Sequence, residues 1–238
     1  MTFHQAAYDL RCEWGLEGLR AVGSGADVVI VVDVLSFSTA VDIAVSRGAG
    51  VFPYRWHDET AAAFATEKDA VLAGSRRSGS QYSLSPASLR SVPAGMRLVL
   101  PSANGSSLSF EAAGVKLFTA CLRNAPAVAR AAAAHGSRIA VIAAGEHWHG
   151  GALRPCLEDL AGAGAVLSEL VGRRSPEAEW AVATFARFRD ELPAALRQCG
   201  SGQELIAKGF PTDVELAAEY GVSGAAPMLD EEGKFAVI

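Results

Sequence analysis

Val28-Val-Ile-Val-Val32 is a run of five consecutive β-branched residues, closed by Asp33. Branching at Cβ stiffens χ1 and suits an extended chain. No polar position interrupts the run, so both faces of such a strand must be covered. That is the pattern of an interior strand in a layered sheet. Shorter runs at 51–54, 70–73, 98–100, 116–119 and 139–143 predict further strands. Ala/Leu-rich stretches at 39–47, 59–67, 106–113, 126–134, 157–171 and 176–191 predict helices. Strand–loop–helix alternation of this length predicts a layered α/β/α fold, with a mainly central β-sheet, helices on both faces and a helical C-terminal region. After residue 171 the strand signal nearly vanishes until the C-terminus. The tail is expected to pack on the sheet or close one side of a cleft. The 238 residues, half of them hydrophobic, suit a single domain over 1–238 or two closely joined lobes at about 1–120 and 121–238.

Composition removes several function classes. Lys plus Arg is 21 against 26 Asp plus Glu, a formal charge of −5, and no basic tract is present. Neither nucleic acid nor a membrane surface is the expected partner. Cys12, Cys121, Cys156 and Cys199 are far apart and form no CxxC, which argues against a thiolate zinc site and a disulfide framework. The start, Met1-Thr-Phe-His-Gln5, lacks a basic segment followed by an apolar run, so it does not read as a signal peptide. No apolar stretch reaches the roughly 20 residues of a membrane span. A cytoplasmic protein with reduced thiols is expected, with a homodimer left open.

Chemistry-bearing residues cluster in strand-to-helix loops, where α/β folds place their sites. Asp33 ends the Val-rich strand, and Ser36, Ser38 and Thr39 follow it. A carboxylate there can hold a metal or attack as a nucleophile, or it can bond local amides while Ser38 or Thr39 caps the helix. Ser102-Ala-Asn104-Gly105-Ser106 repeats the arrangement and suits either a phosphate or a capped turn. Asn124-Ala-Pro126 is fully explained by capping. Glu158-Asp159 opens an apolar helix, where two carboxylates favour the macrodipole or contribute to an oxygen-rich Mg2+ site. His147 and His149 could bind zinc, but no motif places a third ligand. No GxGxxG, GxxxxGK[ST] or GxSxG is present.

The same loops, in the same order, resemble the ComB-like 2-phosphosulfolactate phosphatase family. The resemblance is carried by Val-Val-Asp33-Val-Leu, Leu72-Ala-Gly74, Ser102-Ala-Asn104-Gly105-Ser106, Leu122-Arg-Asn124-Ala-Pro-Ala-Val, Ala143-Ala-Gly145, Leu157-Glu158-Asp159 and a late Lys208-Gly-Phe210 with Asp213-Val214. It implies an α/β phosphoric monoester hydrolase that is Mg2+-dependent and acts on 2-phospho-3-sulfolactate, an intermediate toward coenzyme M. It further implies that Asp33 is catalytic and that Asp33, Glu158 and Asp159 hold the metal. Ser36, Ser38, Arg76, Asn104, Gly105, Ser106 and Asn124 would bind substrate. Two positions depart from the family pattern: Ser36 stands where the family has Arg, and Ser75 where it has Glu. Ser36, with Phe37 adding apolar surface beside it, predicts a weaker grip on a polyanion, and Ser75 removes a possible metal or base carboxylate. A non-catalytic anion-binding relative and a zinc hydrolase using His147 and His149 are the alternatives.

Overall fold

The computed structural model describes residues 2–55, 58–112 and 114–237. The chain opens with β1 (Leu10–Trp14), α1 (Gly15–Val22), β2 (Val28–Val32), α2 (Phe37–Ser46), β3 (Gly50–Tyr54), α3 (Glu59–Glu67) and β4 (Val71–Leu72). A loop and a 3-10 turn at Pro86–Ser91 lead to β5 (Arg97–Pro101), α4 (Gly105–Glu111), β6 (Lys116–Ala120), α5 (Ala125–Ala133) and β7 (Ile139–Ala143). A small hairpin, β8 (Glu146–His147) and β9 (Leu153–Arg154), precedes the helical region. That region comprises α6 (Leu157–Ser168), α7 (Pro176–Phe188), α8 (Leu192–Gln198), α9 (Gly200–Ala207) and α10 (Pro211–Ala217). The chain then returns to the sheet as β10 (Pro227–Leu229) and β11 (Phe235–Val237).

Nine strands form one mixed sheet in the order β1-β7-β2-β6-β10-β11-β3-β5-β4. Its two parallel blocks, β1-β7-β2-β6 and β3-β5-β4, are joined by the antiparallel C-terminal hairpin. Met228 pairs with Phe118 on one side of that hairpin, and Phe235 with Val51 on the other. The strands do not divide at residue 120, because both blocks draw on earlier residues. The Val-rich run is covered on both faces, as its composition requires. Val28, Ile30 and Val32 join the core under α5 and α6, and Val29 and Val31 join the core under α1, α2 and α4.

Several boundaries moved by a few residues. The strand expected at 70–73 is Val71–Leu72, and α2 starts at Phe37. The helix expected over 157–171 stops at Ser168, and the one over 176–191 ends in a 3-10 turn at Arg189–Glu191. The last residue of the helix expected at 106–113 lies outside the described residues. β1 and α1 were not foreseen. Arg11 and Glu13 break the apolar pattern of β1, which has β7 as its strand neighbour and a bridge from Leu10 to Arg174 on its other edge. Its buried Arg11 is satisfied by the Tyr8 and Val22 carbonyls.

Helix α6 is packed between the sheet and α7. Its Leu-Ala-Gly-Ala-Gly-Ala-Val-Leu centre is buried on all sides, and two glycines allow the close approach. A Cβ on Gly162 would meet Val34 at 2.7 Å and Val32 at 2.8 Å, and a Cβ on Gly164 would meet the Ala181 carbonyl oxygen at 2.0 Å. Two residues apart on a helix is about 200°, so the glycines serve opposite neighbours. Gly164→Ala is expected to destabilise the fold by at least ~1–3 kcal/mol, because a backbone oxygen cannot move aside as a flexible side chain could. Urea denaturation would read the loss as a lower midpoint.

Candidate active site

Asp33 leaves the end of β2 and is almost fully buried. The turn into α2 grips it closely. Its backbone amide donates to Ser38 Oγ at 2.9 Å, and its carbonyl accepts from the Ser38 amide at 2.8 Å. Its carboxylate accepts from the Phe37 amide at 3.2 Å and, across the gap to the loop after β5, from the Gly105 amide at 2.9 Å. Burial pushes the Asp33 carboxyl up to about 7. The Glu146 charge adds to this, the two amides pull the other way, and Glu158 contributes a smaller raise.

Asp33 lines a chamber of about 190 Å3 with Ser36, Arg76, Asn104, Glu146 and Lys208. That is about six water volumes, room for a phosphate-sized group and its immediate ligands. An adjoining chamber of about 590 Å3 shares Arg76, Ser102 and Lys208 and adds Arg55 and Arg77. With Glu204, which is ion-paired with Lys208, the inner chamber thus sets three carboxylates against two cations, and the outer one is basic. Asn104 Oδ1 is buried without a hydrogen-bond partner. A free acceptor beside two carboxylates is an oxygen-rich donor set.

The residues expected from sequence divide into those that face the chamber and those that hold it up. Asp33, Ser36, Arg76 and Asn104 face it. Ser38 is fully buried and bonds Thr119 Oγ1 at 2.7 Å, so it supports β2 from behind. The Gly105 amide is spent on Asp33, and Ser106 donates its hydroxyl to the Leu100 carbonyl at 3.2 Å. Asn124 occupies the N-cap position of α5 without a side-chain cap bond. Its Oδ1 instead accepts from the Cys121 amide at 2.8 Å, folding back on the loop before the helix. Ser38, Gly105 and Ser106 therefore support the site from outside the chamber lining, while Asn124 holds the loop after β6.

The expected metal cage also changes. Asp159 accepts from the Val34 amide through one oxygen and the Gly145 amide through the other, both at 2.8 Å. It staples the loops after β2 and β7 together. Burial raises its carboxyl well above the usual range, and Glu158 and Asp33 add to the shift. Glu158 is buried but is not part of the chamber lining. Among the described residues, no three His, Cys, Asp or Glu side chains group as a ready cation cage. Asp33, Glu158 and Asp159 are thus not gathered as a ready cage in this structure, and His147 and His149 sit on the exposed β8–β9 hairpin. Sequence reading missed Glu146. Its signal was close to the one used for Asp33: a carboxylate shortly after the end of a buried strand, here three residues past β7.

Ser36 and Phe37, singled out in the sequence, are placed differently by the structure. Arg76 Nη2 donates to Ser36 Oγ at 2.7 Å, so a guanidinium stands directly beside residue 36. Phe37 points into the core and meets Phe235 edge-on at 6.1 Å. It adds no apolar surface to the chamber. The thiols are not alternative nucleophiles. Burial pushes Cys12, Cys121 and Cys199 up to about 12, and Cys156 is also raised.

An α/β sheet whose strand-end loops present carboxylates, an unpartnered amide oxygen and cations to a phosphate-sized chamber is the apparatus of a phosphoric monoester hydrolase, and the chain is one. It belongs to the 2-phosphosulpholactate phosphatase family, whose sequence model matches residues 18–232. A probable 2-phosphosulfolactate phosphatase of Deinococcus radiodurans is 31% identical over 215 residues, covering 85% of this chain and 88% of the relative. The 2-phosphosulfolactate phosphatase of Methanothermobacter thermautotrophicus is 28% identical over 215 residues, covering 88% of each. A probable 2-phosphosulfolactate phosphatase of Symbiobacterium thermophilum is 28% identical over 221 residues, covering 86% of this chain and 91% of its own. No helix among the described residues is long and apolar enough to cross a membrane.

Proposed function

We propose that the protein hydrolyses 2-phospho-3-sulfolactate, or a closely related phosphorylated hydroxy acid, with Mg2+ as cofactor. The observation that carries the reading is the pairing of Asp33 and Glu146 with Arg76 and Lys208 around one small chamber. With Glu204 the chamber carries three carboxylates, which would repel a phosphate dianion, and the two cations do not outweigh them. A divalent cation restores the balance. The donors suit Mg2+, which prefers hard oxygens, keeps several waters and needs only one or two carboxylates. Asp33 and Glu146 would hold it, with Asn104 Oδ1 as a neutral oxygen. A bound Mg2+ would supply Lewis-acid neutralisation of charge on the phosphoryl group.

The chain's own residues do the rest. Arg76 and Lys208 orient the phosphate and take up charge as water attacks phosphorus and the P–O ester bond breaks. The leaving alkoxide takes a proton and departs as the hydroxy acid. The basic outer chamber, with Arg55 and Arg77, suits the further anionic groups of such a substrate.

Purified protein stripped with EDTA is expected to lose phosphate release from 2-phospho-3-sulfolactate and to regain it with Mg2+, since a site with so few protein ligands binds the ion weakly. A panel of non-sulfonated phosphomonoesters run beside it fixes the substrate class. Full activity after exhaustive chelation, or stoichiometric zinc that survives it, would remove the Mg2+ reading.

A further inference from the structure

Asp213, near the start of α10, is almost fully buried and far in sequence from the strand-end loops. Among the described residues, all the partners of its carboxylate lie on the segment between β4 and β5. One oxygen faces Arg76 Nε at 3.3 Å, and the other accepts from Ser85 Oγ at 2.5 Å and the Ala87 amide at 3.3 Å. Arg76 is held on its remaining sides. Its Nη2 donates to Ser36 Oγ and to the Leu84 carbonyl, and its guanidinium lies 5.5 Å from the centre of the Phe210 ring. Nη1 makes no hydrogen bond to the described residues and is left for a ligand.

We propose that Asp213 is a positioning residue that presets Arg76 as the anion donor between the two chambers, so that the C-terminal helices complete the phosphate site. The inference rests on the reading of the chamber as a phosphate site. A loop arginine keeps large rotamer freedom, which a ligand must freeze on binding. Held by a buried carboxylate, a hydroxyl and a carbonyl, Arg76 has lost that freedom before the ligand arrives, which strengthens binding without any new contact. Asp213 also subtracts positive charge from the site. Its two possible effects on an anion therefore have opposite signs, and the sign can be measured.

The probe is inorganic phosphate, titrated by calorimetry into the Mg2+-loaded full chain. Asp213→Asn is expected to weaken phosphate binding about tenfold, the scale of one lost charge-assisted contact. KM should rise by a similar factor while kcat moves far less. In an Arg76→Gln background the same change should add almost nothing, because the two residues act as one unit. Ser85→Ala removes a different partner of Asp213 and should leave phosphate affinity as it was. Tighter phosphate binding in Asp213→Asn would mean that Asp213 acts only through its charge, and an equal loss in the Arg76→Gln background would mean that it acts through general packing; either overturns the proposal. Should Asp213→Asn not fold, the natural protein still decides. The Arg76 Nε–H resonance is expected to be rigid and exchange-protected before phosphate is added, and an Arg76 that orders only on adding phosphate overturns the proposal. Phosphate binding that weakens as expected in a protein hydrolysing no phosphoester would support the positioning role and remove the hydrolase reading instead.

Discussion

Replacing Asp33 by Asn is expected to lower turnover at least about a hundredfold, the scale of losing one electrostatic participant in a buried site, while the protein stays folded. Asn keeps the size of the side chain and one acceptor oxygen for the Phe37 or Gly105 amide, so the turn into α2 survives. What it loses is the charge that stands beside Glu146. The stability of the variant gives a second, independent readout. Burial holds the Asp33 carboxyl at about 7 in the folded protein, against 3.8 as its ordinary value. Between these values the folded state binds a proton that the unfolded chain releases, so its stabilising contribution is complete below about pH 4 and is lost as pH rises through about 7. At about 1.4 kcal/mol per unit, the buried charge costs of the order of a few kcal/mol above pH 7. In EDTA, the fall in melting temperature between pH 5 and pH 8 should therefore be smaller in Asp33→Asn than in the natural protein. Asp159 is raised by the same cause and retains part of the slope. A folded Asp33→Asn variant with near-natural turnover would make Asp33 a structural residue and move the site elsewhere.

Some of this was legible in the sequence because the responsible forces are local. Five β-branched residues in a row can only be an interior strand, and the Gly-Ala alternation of α6 announces a helix packed tightly on more than one side. The strand-end position of Asp33 and the Asn-Gly turn at 104–105 follow from the same local logic. Long-range hydrogen bonds were not legible. Asp159 reads as a helix N-terminal carboxylate, yet it staples two loops 125 and 14 residues away. Asn124 reads as a cap, yet it bonds backward to Cys121. Arg76 reads as a remnant of a depleted motif, whereas its guanidinium is held against Ser36, 40 residues away in the chain. In each case residue type fixed what the group can do, and the tertiary partner decided which of those things it does. The C-terminal contribution was the hardest to foresee. Lys208, Phe210 and Asp213 belong to a helical tail with no strand pattern to orient it, and only the packing of α9 and α10 against the loop after β4 brings them to the chamber.

Gly105→Ala is the second substitution with a large expected effect, and it acts through Asp33 and not through phosphate. A Cβ at Gly105 would lie 2.3 Å from Phe37 Cδ1 and 2.9 Å from Asp33 Oδ2. The Phe37 ring cannot retreat, because it is fully buried against Phe235. The loop after β5 must therefore back away from α2, which lengthens the Gly105 N–H bond to the carboxylate. Overpacking of this kind costs about 1–3 kcal/mol, and displacing a reacting group by about 1 Å can cost about a hundredfold in rate. Ser106→Ala separates this account from a phosphate cradle built on the same loop. Its hydroxyl is bonded to the Leu100 carbonyl, so the change should cost about 1 kcal/mol of stability and leave kcat and KM close to natural. If the loop acted by touching phosphate, Ser106→Ala would instead raise KM strongly, and Gly105→Ala, which keeps its amide, would be the milder of the two. The order of the two effects, read from steady-state kinetics beside denaturation midpoints, shows whether the loop after β5 serves the substrate directly or holds the carboxylate that does.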